Sequence, residues 1–241
     1  SEKWRIFENN GAGNFGVAAT FTIGSGMGYD RSRLLDYDQD GKMDFFVTHD
    51  GNNELYYRGK GQTGSFTNGF SQNLGKYTHQ LDIGEFNGDG KIDVVTGSNH
   101  YGGADDKRYL RLNSLTPGAG GGFSSGWTSP VSQERGSGNA LVADFDGDNL
   151  YDLLLPRSVS ATDRKSYVRL NQGGGTAFSV ALEVPGTLPA RAVDIDNDND
   201  TDVVLNRYDG NGAFTSLLFY KNDGQGNFVQ GAGSAAAIWC A

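Results

Sequence analysis

At 241 residues, with 37 glycines, 12% aromatics and a formal net charge of −9, the chain is long enough for one all-β domain and too aromatic for disorder. Its single cysteine, Cys240, excludes an internal disulfide. The acidic balance argues against a nucleic-acid partner, no apolar run nears the ~18 residues of a membrane span, and no basic-then-apolar start reads as a signal peptide.

Taken in order, the chain alternates two signals. The first is a Gly-rich turn that ends in Phe, beginning with Asn9-Asn10-Gly11-Ala12-Gly13-Asn14-Phe15. Similar turns end at Phe66, Phe123, Phe178 and Phe228, so the spacings are 51, 57, 55 and 50 residues. Each follows a short predicted strand: Trp4–Glu8, Glu54–Arg58, Tyr109–Leu112, Ser166–Leu170 and Leu217–Lys221.

The second signal is an acidic nonapeptide. Asp36, Asp38, Asp40 and Asp44 occupy positions 1, 3, 5 and 9, with Gly41 at position 6 and the carbonyl of Lys42 offered at position 7. Glu85, Asn87, Asp89, Lys91 and Asp93 repeat it; so do Asp144, Asp146, Asp148, Leu150 and Asp152, and finally Asp194, Asp196, Asp198, Asp200 and Asp202. Side chains at these positions point inward if the loop wraps around a point, and Gly or Asn at position 6 accepts the left-handed backbone that the wrap needs. Clustered carboxylates repel one another, so the loops call for cations, and hard oxygen donors at this density suit Ca²⁺. Four bound ions would offset most of the net charge. An EF-hand is excluded, because its position 12 needs a bidentate Glu, and Val47, Thr96, Leu155 and Leu205 stand there.

Each acidic loop lies between two apolar runs, Arg33–Leu35 and Phe45–Thr48 in the first copy. One unit therefore reads strand, acidic loop, strand, connection, strand, Gly-rich turn, strand. A four-stranded antiparallel unit repeated at about 50 residues is a propeller blade. The fold expected is a single all-β β-propeller domain over residues 1–241. Its full blades span about 29–75, 76–134, 135–186 and 187–233. Residues 1–28 supply the outer two strands of another blade, and 234–241 resemble a first strand. Together they are expected to form a fifth blade that closes the ring, which removes two sheet edges; its second strand is missing, so either that blade has three strands or the chain is part of a longer one with more blades.

The acidic loop with its downstream N-x-G-x-G-x-F hairpin resembles the FG-GAP/VCBS repeats, the calcium-loop blades of integrin α-chain propellers and of many secreted microbial and fungal proteins. The resemblance implies loops on one face and ligand binding on the other. It does not fix one activity, since such propellers serve as lectins, adhesion modules and polysaccharide lyases. The Phe-Gly and Gly-Ala-Pro signature of integrin blades is not evident, which favours the glycan-associated branch.

Antiparallel order puts the acidic loops on one rim and the other connections opposite. There the chain places His49, Asp50, Asn53, Tyr77, His79, His100, Tyr101, Arg157, Arg207 and Tyr208, including all three histidines. Three readings stay open, the plainest being that these residues are polar only because loops are exposed. Aromatics, Asn, Asp, Arg and His suit a glycan ligand, with related pockets giving multivalency. Alternatively His49, His79, His100, Tyr101 and Arg207 form one lyase-type centre, in which Arg neutralises a uronate and His or Tyr takes the proton. Weak blade-to-blade repetition of these residues favours a single asymmetric site. The calcium loops point to an extracellular setting, where free Ca²⁺ is plentiful.

Overall fold

Four sheets of the same antiparallel plan follow one another along the chain. The coordinates are a computed structural model and describe residues 2–23, 32–41, 43–49, 54–58, 71–73, 80–97, 107–114, 122–130, 140–160 and 162–231. No helix occurs among them. A lone hairpin comes first, β1 (Glu2–Asn9) with β2 (Phe15–Ile23). The first sheet holds β3 (Ser32–Leu35), β4 (Asp44–His49), β5 (Glu54–Arg58) and β6 (Ser71–Asn73). The second holds β7 (Gln80–Gly84), β8 (Asp93–Gly97), β9 (Arg108–Asn113) and β10 (Phe123–Thr128). The third holds β11 (Leu141–Ala143), β12 (Asp152–Ser158), β13 (Arg164–Asn171) and β14 (Phe178–Pro185). The fourth holds β15 (Thr187–Val193), β16 (Asp202–Tyr208), β17 (Phe214–Asn222) and β18 (Phe228–Gln230).

Within each sheet the strands pair in chain order. First strands meet first strands of the next sheet: β3 packs on β7, β7 on β11 and β11 on β15. That arrangement is propeller-like, with the first strands of successive sheets side by side. The residues directly after the first Asp of each second strand are apolar and buried. Leu153, Leu154 and Leu155 are all fully buried in β12, as are Val203 and Leu205 in β16. The first strands, which also read as apolar runs, are only half-buried, because each lies at an edge of its sheet.

Three apolar clusters fill the seams between successive sheets. Tyr37 and Phe46 of the first sheet meet Leu81, Val94 and Phe123 of the second. Phe86, Val95 and Leu110 of the second meet Leu153 and Leu155 of the third. Phe145, Leu154 and Val168 of the third meet Val203, Leu205 and Leu218 of the fourth. Trp127 packs within the second seam, its ring centroid 5.1 Å from that of Phe178.

Two differences from the sequence reading stand out. The second strands run further than the apolar signal indicates. Arg157, Arg207 and Tyr208, read there as loop residues, are strand residues, paired to Lys165, Ser216 and Phe214. The ladder tolerates them because their polar ends reach the sheet rim. Likewise the connection between the third and fourth units is Gly186 alone, which joins β14 to β15 at φ 71°. Residues 234–241, expected as the closing strand, lie outside the described residues.

Candidate functional site

The acidic loops join first strands to second strands, and the Gly-rich turns join third to fourth, so both sit on one edge of the sheets. Position 6 is left-handed in every copy: Gly41 at φ 82°, Gly90 at 76°, Asn149 at 68° and Asn199 at 73°. The position-1 carboxylate gathers the wrapped backbone. Asp36 accepts the N–H groups of Asp40 and Gly41 at 3.0 and 2.9 Å; Asp144 accepts those of Gly147 and Asn149 at 2.7 and 2.9 Å. Position 5 accepts the position-7 N–H in three copies, Asp89 from Lys91, Asp148 from Leu150 and Asp198 from Asp200.

Three groups of carboxylates bring oxygens within 4.8 Å of one another: Asp36, Asp38 and Asp40; Asp144, Asp146 and Asp152; Asp194, Asp196 and Asp202. Their donors are all hard oxygens, as Ca²⁺ prefers. One oxygen of Glu85 and one of Asp146 are buried without a hydrogen-bond partner, a costly state that a cation would relieve. Burial, then the charges of Asp148 and Asp144, raise the Asp146 pKa. The residues fit the ion.

The loops are not equivalent. In the fourth, Lys221 Nζ lies 2.6 Å from Asp196, and that bond holds the Asp196 carboxyl below its ordinary range. In the second, Lys91 lies 3.4 Å from Asp89. Loop three has no lysine among its ion pairs in the described residues. Lys42 falls outside them.

The position-9 aspartates have a further structural duty. Asp44, Asp93, Asp152 and Asp202 are each at most 1% exposed. One oxygen takes the N–H of position 2: Tyr37 at 2.8 Å, Phe86 at 3.0 Å, Phe145 at 2.7 Å and Ile195 at 2.8 Å. The other oxygen of Asp93, Asp152 and Asp202 takes the backbone N–H of Asn113, Asn171 and Asn222, each at 2.7 Å. Burial pushes Asp93 and Asp152 up to about 7, although these N–H donors oppose the shift.

Those asparagines then reach into the preceding sheet. The Asn113 side-chain amide donates to the Tyr37 carbonyl at 3.2 Å, Asn171 to Phe86 at 2.8 Å, and Asn222 to Phe145 at 2.6 Å. The result is a latch: acidic loop, asparagine, then the acidic loop of the sheet before. An aromatic pair accompanies each, with Tyr37–Phe123, Phe86–Phe178 and Phe145–Phe228 centroids 5.2, 6.3 and 5.8 Å apart. Sequence reasoning used these asparagines only as turn formers. Their fixed offset of 19 or 20 residues from the position-9 Asp was the available signal.

On the opposite edge, Arg157 is held by two 2.7 Å bonds to Asp163. Tyr208 lies beneath the Arg164 guanidinium, 4.1 Å from the ring centroid, and meets Phe214 edge-on at 6.1 Å. Arg164 also donates to the Gly212 carbonyl at 3.0 Å. Arg207 is exposed, next to Tyr208 in β16. The structure thus brings Tyr208, Arg207 and the Asp209–Ala213 turn together, with Arg164 from the third sheet. His49 ends β4, opposite Glu54; Asp50, Asn53, Tyr77, His79, His100 and Tyr101 lie outside the described residues. Between two first strands, Arg33 bonds Asp82 at 3.2 Å, and burial raises the Asp82 pKa against that attraction.

Fold and loops together define a propeller-like, acidic-loop repeat protein. Residues 36–96 match the family model of the FG-GAP-like repeat, which is consistent with an FG-GAP-type repeat protein. No curated protein matches it. Among solved structures, it is similar to a lectin of Agrocybe aegerita described by its specific recognition of non-reducing terminal N-acetylglucosamine. Identity is 19%, the TM-score 0.56, and the alignment covers 96% of this chain and 59% of the lectin chain. The likeness is one of fold, and the chain spans 59% of the length of that relative. A Photorhabdus luminescens Tc holotoxin pore aligns over 99% of this chain and 11% of that one, at 17% identity and a TM-score of 0.40.

Proposed function

We propose that the chain is a calcium-stabilised, carbohydrate-binding propeller, in which five blades close a ring and glycan binds at the edge opposite the acidic loops. The observation that carries the reading is the likeness of nearly the whole chain to a glycan-recognising lectin. The acidic loops support the role of calcium: they cluster hard oxygens at the sheet edge and leave two carboxylate oxygens buried and unpartnered. About four ions, one per loop, would neutralise carboxylates and set the turns that carry the latches. The oxygen-rich loops suit an extracellular setting.

The opposite edge of the third and fourth sheets supplies a chemically suitable surface. Tyr208 is fixed by Arg164, and an aromatic face held rigidly suits the apolar face of a sugar. Arg207 beside it offers charged donors toward hydroxyls. A glycan array that includes glycans ending in N-acetylglucosamine, run with and without chelator, tests the reading. Binding that survives Tyr208→Ala combined with Arg207→Ala would move the site elsewhere; no binding to any glycan would defeat the function. Uronate polysaccharides, followed by ultraviolet absorbance of unsaturated products, test the lyase alternative in the same preparation.

A further inference from the structure

The N-terminal hairpin repeats the turn of the fourth sheet in sequence and in three of its hydrogen bonds. Asn9-Asn10-Gly11-Ala12-Gly13-Asn14-Phe15 aligns with Asn222-Asp223-Gly224-Gln225-Gly226-Asn227-Phe228. The Asn10 N–H donates to the Asn14 carbonyl at 3.0 Å, as Asp223 does to Asn227 at 3.2 Å. The side chain of residue two accepts from residues four and six in both turns, Ala12 and Asn14 in one, Gln225 and Asn227 in the other. Both glycines are left-handed in both turns. Asn9 therefore stands where Asn113, Asn171 and Asn222 stand.

Its side chain is already oriented for the same task. The Asn9 oxygen accepts the Gly11 N–H at 2.9 Å, as the Asn171 oxygen accepts that of Gly173 at 3.1 Å. In Asn171 this leaves the amide N–H₂ to bond the preceding sheet. For Asn9 no acceptor of that group is found among the described residues. Phe15 is equally without its seat: it is 65% exposed, while its counterpart Phe123 is 8% exposed. Phe7, on the same face, is 53% exposed.

The complementary half lies at the other end of the series. Position-2 residues Tyr37, Phe86 and Phe145 each receive an asparagine amide and a phenylalanine ring from the next sheet. Ile195 is the fourth position-2 residue. Its N–H is fixed on Asp202 as in the other loops, yet its carbonyl has no donor among the described residues. The fourth sheet also carries an open groove of about 500 Å³, lined in part by Arg191, Val204, Asn206 and Leu217 and bordered by Leu141 of the third sheet. Val204, 8% exposed, is the counterpart of Phe46, Val95 and Leu154, which are at most 2% exposed beneath the next sheet.

We infer that the N-terminal hairpin of the same chain docks on this face, with the Asn9 amide on the Ile195 carbonyl and the Phe15 ring against the Ile195 side chain. The inference rests on the ring closure proposed above and names the residues that make it. It copies only the half of the latch that crosses between sheets.

The test uses the full chain with Cys240→Ser as background. Phe15→Cys with Ile195→Cys, treated with a short bismaleimide, is expected to give an internally cross-linked monomer on a denaturing gel. A cross-linked dimer means that the hairpin seats on a second copy and overturns the inference; so does the absence of any cross-link. Asn9→Asp keeps the acceptor for the Gly11 N–H and removes the donor. It should lower the melting temperature by about 3–6 °C, as expected for one hydrogen bond lost at a seam; an unchanged value overturns the inference. Small-angle scattering separates the two levels: a closed-ring profile without the cross-link rejects this seat but keeps closure, and an open profile rejects both. Neither result depends on glycan binding.

Discussion

The side-chain amide of Asn171 donates to the carbonyl of Phe86 at 2.8 Å, joining residues 85 positions apart across a sheet boundary. The same amide reaches the Tyr151 carbonyl at 3.2 Å. Asn171 is 2% exposed, so water cannot replace it. Asn171→Ala should cost about 1–3 kcal/mol, the penalty for buried polar groups left unsatisfied. Asn171→Asp should cost at least as much, because a carboxylate cannot donate to either carbonyl. Chemical denaturation measures both; wild-type midpoints would refute the latch.

Calcium should stabilise the folded chain. An ion that binds only the folded state adds about 2.7 kcal/mol per site at a hundredfold excess over Kd. The melting temperature is expected to rise with added Ca²⁺ and fall with chelator. Asp146→Asn should reduce that increment without abolishing it, since three loops remain. A melting temperature indifferent to chelator rejects the structural role of the ion.

Lys221 and an incoming cation compete for Asp196. Lys221→Met should therefore tighten ion binding at the fourth loop, by about two- to fivefold given the modest strength of exposed ion pairs. Calorimetric titration of the variant reads this directly. Weaker binding would mean that the lysine organises the loop instead.

Gly224 approaches the fourth acidic loop closely. A Cβ there would lie 2.5 Å from an Asp200 carboxylate oxygen, and φ is 71°. Gly173 has φ 92° with nothing within 4 Å of its would-be Cβ. Gly173→Ala should cost only the left-handed backbone penalty, about 1–2 kcal/mol. Gly224→Ala should cost more and should also weaken the calcium response. Equal losses in the two variants would show that the close approach to Asp200 is not constrained.

Several features were legible in the sequence because they are local. The acidic nonapeptide needs left-handed backbone at its sixth position, so Gly41, Gly90, Asn149 and Asn199 announce the wrap wherever it folds. The Gly-rich turns ending in Phe mark a third and a fourth strand, and alternation of the two signals yields the four-stranded unit. The opposite edge was less legible. Arg157 and Tyr208 appear in the sequence only as polar residues after an apolar run. Nothing local says that Asp163 will claim one and Arg164 cover the other.

The chain by itself determined the repeat, its antiparallel plan and the carboxylates able to hold cations, since each follows from backbone preference and charge within a few residues. Tertiary structure alone decided that position-9 aspartates would anchor backbone, that Lys221 would neutralise Asp196, and that asparagines would bolt each sheet to the one before. Those bonds link side chains to carbonyls 76 to 85 residues away. Their partners are set by how the sheets pack, which no short-range pattern encodes.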